Sequence, residues 1–277
     1  MKIARACADG SPFWAVVDVE QRTVRPIAEA FRDWAPRLAA GAGEAGLTFT
    51  GDTLELGALR LLPPIEAPAQ VFVVGANYLR HLSEFKLDPP KAPVAFLKSV
   101  RALIGANDPI VYPRLTHELD YEVELVAVVG APVPASGDPT RCLLGYTVGN
   151  DVSARDLQRG GIGMDLFSAK SLDLTTGLGP WIVTRDEFGD GSPDLQLRLK
   201  VNGEVRQDGR TDQMRWDVGH LLAFINDRVR LHPGDVMFTG TPEGVGQATG
   251  RYLQVGDRVE AEVERIGVLD NTVAPAT

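Results

Sequence analysis

The sequence predicts an α+β, β-rich fold with a small N-terminal α/β domain. Three observations carry this expectation. Apolar runs of strand length recur along the chain, two stretches show helical apolar spacing, and 29 glycines with 19 prolines among 277 residues divide the runs by turns.

Residues 3–27 read as short strands in IARAC, FWAVVDV and TVRPI, which imply a small sheet. In AEAFRDWAPRLAAG, Ala28, Phe31, Trp34, Ala35 and Leu38 fall at near-helical spacing. A helix there would stop at Gly41 and could kink at Pro36. After LELGALRLL comes PPIEAPAQ, residues 63–70, whose prolines make a stiff connector. A boundary in this connector divides an N-terminal domain, 1–65, from a larger one, 66–277. From Val71 the chain reads as strands in VFVVG, VAFLK, YEVELVAVVG, CLLGYTVGNDVS, WIVT, LQLRLKVNGEV, DVMFTG and RVEAEVERIG. Asn202-Gly203 sits where a type I′ hairpin needs two residues at positive φ. Met214, Val218, Leu221, Leu222 and Ile225 form one apolar stripe and predict a helix over 214–227. There is neither an internal repeat nor a βαβ alternation.

Charge narrows the function. Asp and Glu number 37 against 28 Lys and Arg, a formal charge of −9, with no block of one sign. This pattern argues against nucleic acid and anionic membrane surfaces and makes a small molecule the expected partner. Cys7 and Cys142 stand far apart, which supports neither a disulfide framework nor a thiolate zinc site and fits a reducing cytoplasm. MKIARACADGSPFW lacks the apolar core of a signal peptide, and no window approaches 18 consecutive apolar residues, so neither secretion nor membrane spanning is expected.

The strand DYEVELVAVVG is apolar on both faces except for Glu122 and Glu124. At i and i+2 these share a face about 6.8 Å apart. Two carboxylates so placed are costly unless a cation joins them, although a strand end protruding into solvent would also account for the pair. Asp151 follows the apolar strand CLLGYTV. If VSARDLQ opens a helical turn, Asp151, Arg155 and Gln158 fall on one face, and Asp151 could equally be a helix N-cap. Three carboxylates without a Cys or His cluster are hard oxygen ligands that suit Mg²⁺, Mn²⁺ or Ca²⁺ better than zinc. His117, His220 and His232 read as structural or surface residues. His81 lies in NYLRHLSEFKLDPPKAP, which reads as a mobile loop over a site. Its spacing to Glu84 allows the carboxylate to orient the imidazole, and such a spacing also arises by coincidence.

In order and spacing, GANYLRHLSEF, AFLK, DYEVELVAVVG, GYTVGNDVSARDLQ, AKSLDLTTGLGPWI, VNGEVRQDGRTDQM and PGDVMFTGTPEGVG resemble the fumarylacetoacetate hydrolase family over about residues 71–273. The resemblance implies a mixed, rolled β-sheet domain, usually in a homodimer. It also implies a divalent cation, Mg²⁺ with Mn²⁺ or Ca²⁺ as alternatives, on Glu122, Glu124 and Asp151. By the same resemblance His81, Glu84 and Lys170 are catalytic, and Arg155, Gln158 and Thr241 line the substrate site. Glu243 departs from the small residue frequent at its position.

The implied activity is hydrolysis of a C–C bond in an acylpyruvate, a 2,4-dioxo acid of the kind met in aromatic catabolism, through a metal-stabilised pyruvate enolate. Oxaloacetate decarboxylation and isomerisation of a 2-hydroxyhepta-2,4-diene-1,7-dioate-like substrate are the alternatives within this chemistry. A non-catalytic metal- or metabolite-binding module is the alternative outside it. The substrate's distal end is expected to meet the lid and the N-terminal domain. The glycine and proline surplus is expected where loops approach the ligand, in PPKAP, GGIG, GLGP and GTPEGVG.

Overall fold

The computed structural model describes residues 1–160 and 163–276. Gly161 and Ile162 of the GGIG segment lie outside the described residues. A twelve-stranded mixed sheet dominates. Its central strand is Val123–Val129, paired antiparallel with Leu143–Asn150 on one side and with Val236–Phe238 on the other. Val71–Gly75 continues the sheet parallel to Val236–Phe238, and Val94–Lys98 closes that edge.

The N-terminal strands Lys2–Ala8, Ser11–Asp18 and Thr23–Pro26 extend the opposite flank of this sheet. The junction is the pairing of Lys2 with Val183 and Ile3 with Ile182 on the strand Thr176–Thr184. The expected helix spans Phe31–Ala39 with Pro36 inside it, and Gly41 beyond its end takes φ +89°.

A second sheet of five strands carries the expected hairpin. Gln196–Val201 and Glu204–Arg210 pair with Val201 opposite Glu204, and Asn202 and Gly203 both take positive φ. This sheet covers one face of the large one. Leu125, Ala127 and Val129 join Leu197, Leu199, Val259 and Ala261 in one core. The alternate residues Val126 and Val128 pack with Trp34, Leu38, Leu144 and Phe238 in a second core on the other face. All these side chains are buried, and each leucine or valine removed from water contributes about 1.5–3 kcal/mol. Because side chains alternate along a strand, Glu122 and Glu124 share the face of Val126 and Val128, at the end of the strand where that core gives way to the carboxylates. Gly149 permits this packing, since a Cβ there would lie 2.3 Å from the Phe238 ring.

Three expectations change. The helix expected over 214–227 begins at Val218, because Asp217 caps it by accepting the His220 N–H at 2.8 Å, and Met214 instead bridges to Tyr78. The segment VSARDLQ is not one helical turn. Ser153–Ala154 pairs as a short strand with Leu119–Asp120, so the helix Arg155–Gln158 starts after it, with Ala154 and not Asp151 at its N-cap. The GLGP segment lies inside the strand Thr176–Thr184, where Gly177 makes room for Leu269 and Asn271 and no ligand loop forms. No helix among the described residues is long and apolar enough to cross a membrane.

Candidate active site

Glu122 and Glu124 project from the start of the central strand, and Asp151 follows its neighbour Leu143–Asn150. Pairing of Val123 with Asn150 brings these strand ends together. The Asp151 N–H donates to Glu122 O at 2.8 Å, and the Glu122 N–H donates to the Asn150 side chain at 3.0 Å. The three carboxylates offer ligand oxygens within 4.8 Å of one another. Their exposures are 5%, 1% and 0%, which removes the reading of a solvated strand end.

Cations surround this cluster unevenly. Lys170, at the end of the helix Leu166–Lys170, donates to Glu122 Oε2 at 2.7 Å and to Asp151 Oδ2 at 2.5 Å. Lys98, ending the edge strand, is fully buried and donates to Asp151 Oδ1. Arg155 donates to Asp120 Oδ2 at 2.8 Å and to Glu122 Oε1 at 2.5 Å. Burial alone would raise the Glu122 carboxyl, but Lys170 and Arg155 hold it down at about 2. Glu124 is different. Its Oε2 accepts the Gly240 N–H at 2.7 Å, and it has no lysine or arginine partner among the described residues. Burial, then the charges of Asp151 and Glu122, push its carboxyl well above the ordinary range.

A divalent cation fits this donor set. It would be held by hard oxygens on a face already closed to bulk water, and it would offset the charge at Glu124, which no lysine or arginine among the described residues contacts. Gly240 takes φ +96°, and a Cβ there would press on Asn77 Cβ at 3.0 Å and Val74 O at 3.2 Å, so this donor depends on glycine.

His81 and Glu84 lie on the helix Leu79–Glu84. His81 Nδ1 is 3.2 Å from Glu84 Oε2, while Glu84 Oε1 accepts the Gly244 N–H at 2.9 Å. Arg80 pairs with Glu243 at 3.4 Å, so the residue that departs from the family pattern becomes a second tie between helix and loop. Asn77 anchors the base of this helix to Thr239 O and to the Trp216 backbone. Thr241 is buried, and its hydroxyl donates to Val123 O at 2.9 Å and accepts from Gln207 at 2.8 Å. Gln158 Oε1 accepts from Arg155 Nη1 at 3.3 Å.

All nine expected site residues line one cavity of about 660 Å³, except Glu84, which is reached through His81. The described lining begins at Val73, so the expected contribution of the N-terminal domain is not found among the described residues. Two participants escaped the sequence reading. Lys98 stood in the noted AFLK segment, where the alternation of a half-exposed strand should have flagged its inward lysine. Asp120, also fully buried, accepts Gly246 and Gln247 N–H groups besides Arg155, joining three segments behind the cluster.

Buried carboxylates at the ends of adjacent strands, with an acid–imidazole pair on a covering helix, define an enzyme site built for a divalent cation. The chain belongs to the fumarylacetoacetate hydrolase family. The model of the fumarylacetoacetate hydrolase C-terminal domain matches residues 70–274, and that of the Rv2993c-like N-terminal domain matches residues 1–64.

A mitochondrial oxaloacetate tautomerase of Bos taurus is 38% identical over 76% of this chain and 68% of its own. The crystal structure of a 5-carboxymethyl-2-hydroxymuconate delta-isomerase from Mycobacterium smegmatis aligns over the whole of both chains at TM-score 0.82 and 38% identity. That of a fumarylpyruvate hydrolase from Pseudomonas aeruginosa, in complex with Mn²⁺ and pyruvate, aligns over 78% of this chain and 92% of its own at TM-score 0.67 and 30% identity.

Proposed function

We propose that the protein hydrolyses the bond between C3 and C4 of an acylpyruvate. The observation that carries this reading is the His81–Glu84 pair, whose imidazole borders the same cavity as the three carboxylates. A divalent cation on Glu122, Glu124 and Asp151, with Mg²⁺ or Mn²⁺ preferred, would supply Lewis-acid stabilisation of the enolate that leaves. Lys170 adds positive charge at the same end of the cavity. With Glu84 accepting a hydrogen bond from the His81 Nδ1–H, Nε2 is the nitrogen that removes a proton from water. The oxygen of that water bonds to C4, the C3–C4 bond breaks with its electron pair on C3, and the imidazolium returns the proton to C3. The products are a carboxylic acid and pyruvate. Arg155 and Gln158 position the acid, and Thr241, with its hydroxyl committed to the backbone and Gln207, shapes that end of the cavity.

The second reading, keto–enol tautomerisation of a dioxo acid, draws support from the 38% identical oxaloacetate tautomerase and needs no attacking water. Purified protein and its His81→Ala variant, assayed with Mg²⁺ and Mn²⁺ on acetylpyruvate, fumarylpyruvate and oxaloacetate, separate the two. Hydrolysis is expected to fall about 10²–10⁴-fold in the variant, with oxalate binding kept. Tautomerisation of oxaloacetate without cleavage of any acylpyruvate would overturn the hydrolytic reading, and binding without turnover would leave a metabolite-binding module. A cytoplasmic homodimer completes the proposal. The association is supported by exposed Leu97, Val100 and Phe167 on the edge strand, the turn after it and the helix packed on that strand.

A further inference from the structure

The cavity is more specific than a dioxo-acid head requires. Its volume of about 660 Å³ lies within the range for ligands of drug size. Beyond the carboxylate cluster its walls include Leu82, Phe85, Leu87, Val94, Phe96 and Met164, supplied by the covering helix, the chain after it, the edge strand and the segment before Leu166, with Gln247 as a neutral polar neighbour. Every basic side chain lining it, among the described residues, already has an acidic partner. Lys170 is held by Glu122 and Asp151, Arg155 by Asp120 and Glu122, His81 by Glu84, and Arg159 by Glu118 at 2.5 Å. A second carboxylate on the substrate would therefore leave water for an apolar wall without a free cation to meet it, which is strongly unfavourable. An alkyl or aryl group would gain on the same wall.

We propose that the substrate is a 2,4-dioxo acid whose acyl tail is an extended alkyl or aryl group and carries no second carboxylate. This inference rests on the dioxo-acid reading of the site and adds to it the end of the molecule that the carboxylate cluster does not touch. It sets the chain apart from the fumarylpyruvate hydrolase and the oxaloacetate tautomerase, whose named substrates are diacids.

The test compares kcat/KM for acetylpyruvate, hexanoylpyruvate, benzoylpyruvate and fumarylpyruvate at fixed Mg²⁺, together with calorimetric binding of N-hexyloxamate and N-(5-carboxypentyl)oxamate. From acetyl to hexanoyl, kcat/KM should climb by up to about fourfold per methylene buried. Fumarylpyruvate should fall at least about tenfold below hexanoylpyruvate. Leu87 is 56% exposed, so Leu87→Arg tests the wall without opening the core, and it should raise the fumaryl-to-hexanoyl ratio. Preference for fumarylpyruvate or acetylpyruvate would overturn the tail inference while leaving hydrolysis standing. If no acylpyruvate is cleaved but N-hexyloxamate binds more tightly than its carboxylated counterpart, the tail inference stands and the hydrolytic reading falls. Equal binding of the two oxamates overturns the tail inference in either case.

Discussion

Replacing Glu124 by Gln and Asp151 by Asn should change the metal-free protein in opposite directions while weakening cation binding in both. Glu124 has no cationic side-chain partner and lies with Glu122 and Asp151 inside a 4.8 Å cluster. At an effective dielectric near 20, two unit charges at that separation would repel by about 3.5 kcal/mol, a penalty that the raised Glu124 carboxyl avoids by holding its proton. Gln keeps the shape and the acceptor for the Gly240 N–H and carries no charge, so at pH 7.5 in EDTA the Glu124→Gln protein should be at least as stable as the parent. Asp151 is paired with both Lys98 and Lys170. Asn there leaves two buried ammonium groups short of a partner, at a cost of about 3–5 kcal/mol.

Adding Mg²⁺ or Mn²⁺ at 100 times the parent's dissociation constant stabilises it by about 2.7 kcal/mol. Loss of an anionic ligand should weaken binding at least as much as loss of an outer partner, about 10–100-fold, which cuts that gain to about 0.4 kcal/mol at the upper end. For a chain of this size each kcal/mol moves Tm by roughly 2–4 °C, so a parental rise of about 5–10 °C should shrink to about 1 °C. Thermal melts with EDTA and with metal read both effects. A Glu124→Gln protein that keeps the parent's metal-induced rise, or that melts well below the parent in EDTA, would refute the reasoning.

Two further outcomes follow from local chemistry. Cys142 is 1% exposed and burial pushes its thiol up to about 12, so a disulfide reagent at pH 8 should modify at most the Cys7 thiol in the folded protein and both thiols in denaturant. Rapid reaction of two thiols without denaturant would contradict this packing. Burial tends to raise the Asp156 carboxyl, but the Thr116 hydroxyl and the His117 and Leu157 N–H groups donate to it and win, lowering it below its ordinary 3.8. Its stabilisation is therefore present above 3.8 and lost as pH falls through the lower folded value. The stability deficit of Asp156→Ala in urea melts should be constant at neutral pH and shrink below pH 3.8; a deficit that grows on acidification would overturn the assignment.

Much of the fold was legible because strand and turn signals are local. The alternation of Leu195, Leu197, Leu199 and Val201 before Asn202-Gly203 is a hairpin whose sequence separation is almost nil, and the structure forms it there. The start of the helix at Val218 was missed because the apolar stripe runs back to Met214, whereas the boundary is decided by the polar cap at Asp217. The joining of the N-terminal strands to Thr176–Thr184 is a pairing across some 180 residues, and nothing in the Lys2–Ala8 run indicates which edge it will meet.

The carboxylate cluster was legible for a different reason. Charges in strands otherwise apolar are costly, so each one indicates a compensating group. That argument does not reach Lys98. Two glutamates and an aspartate in one buried cluster, with Asp120 beside it, carry four negative charges that Lys170, Arg155 and one divalent cation already balance, so charge counting asks for no further cation. Lys98 is found from the edge strand instead, since in VAFLK the lysine alone is buried while Ala95 and Leu97 are exposed on the other face. A residue that completes a site from a distant strand is thus read from the burial pattern of its own strand and not from charge counting. The formal charge of −9 therefore conceals a site in which lysine and arginine already offset most of the buried carboxylates, leaving Glu124 for the metal.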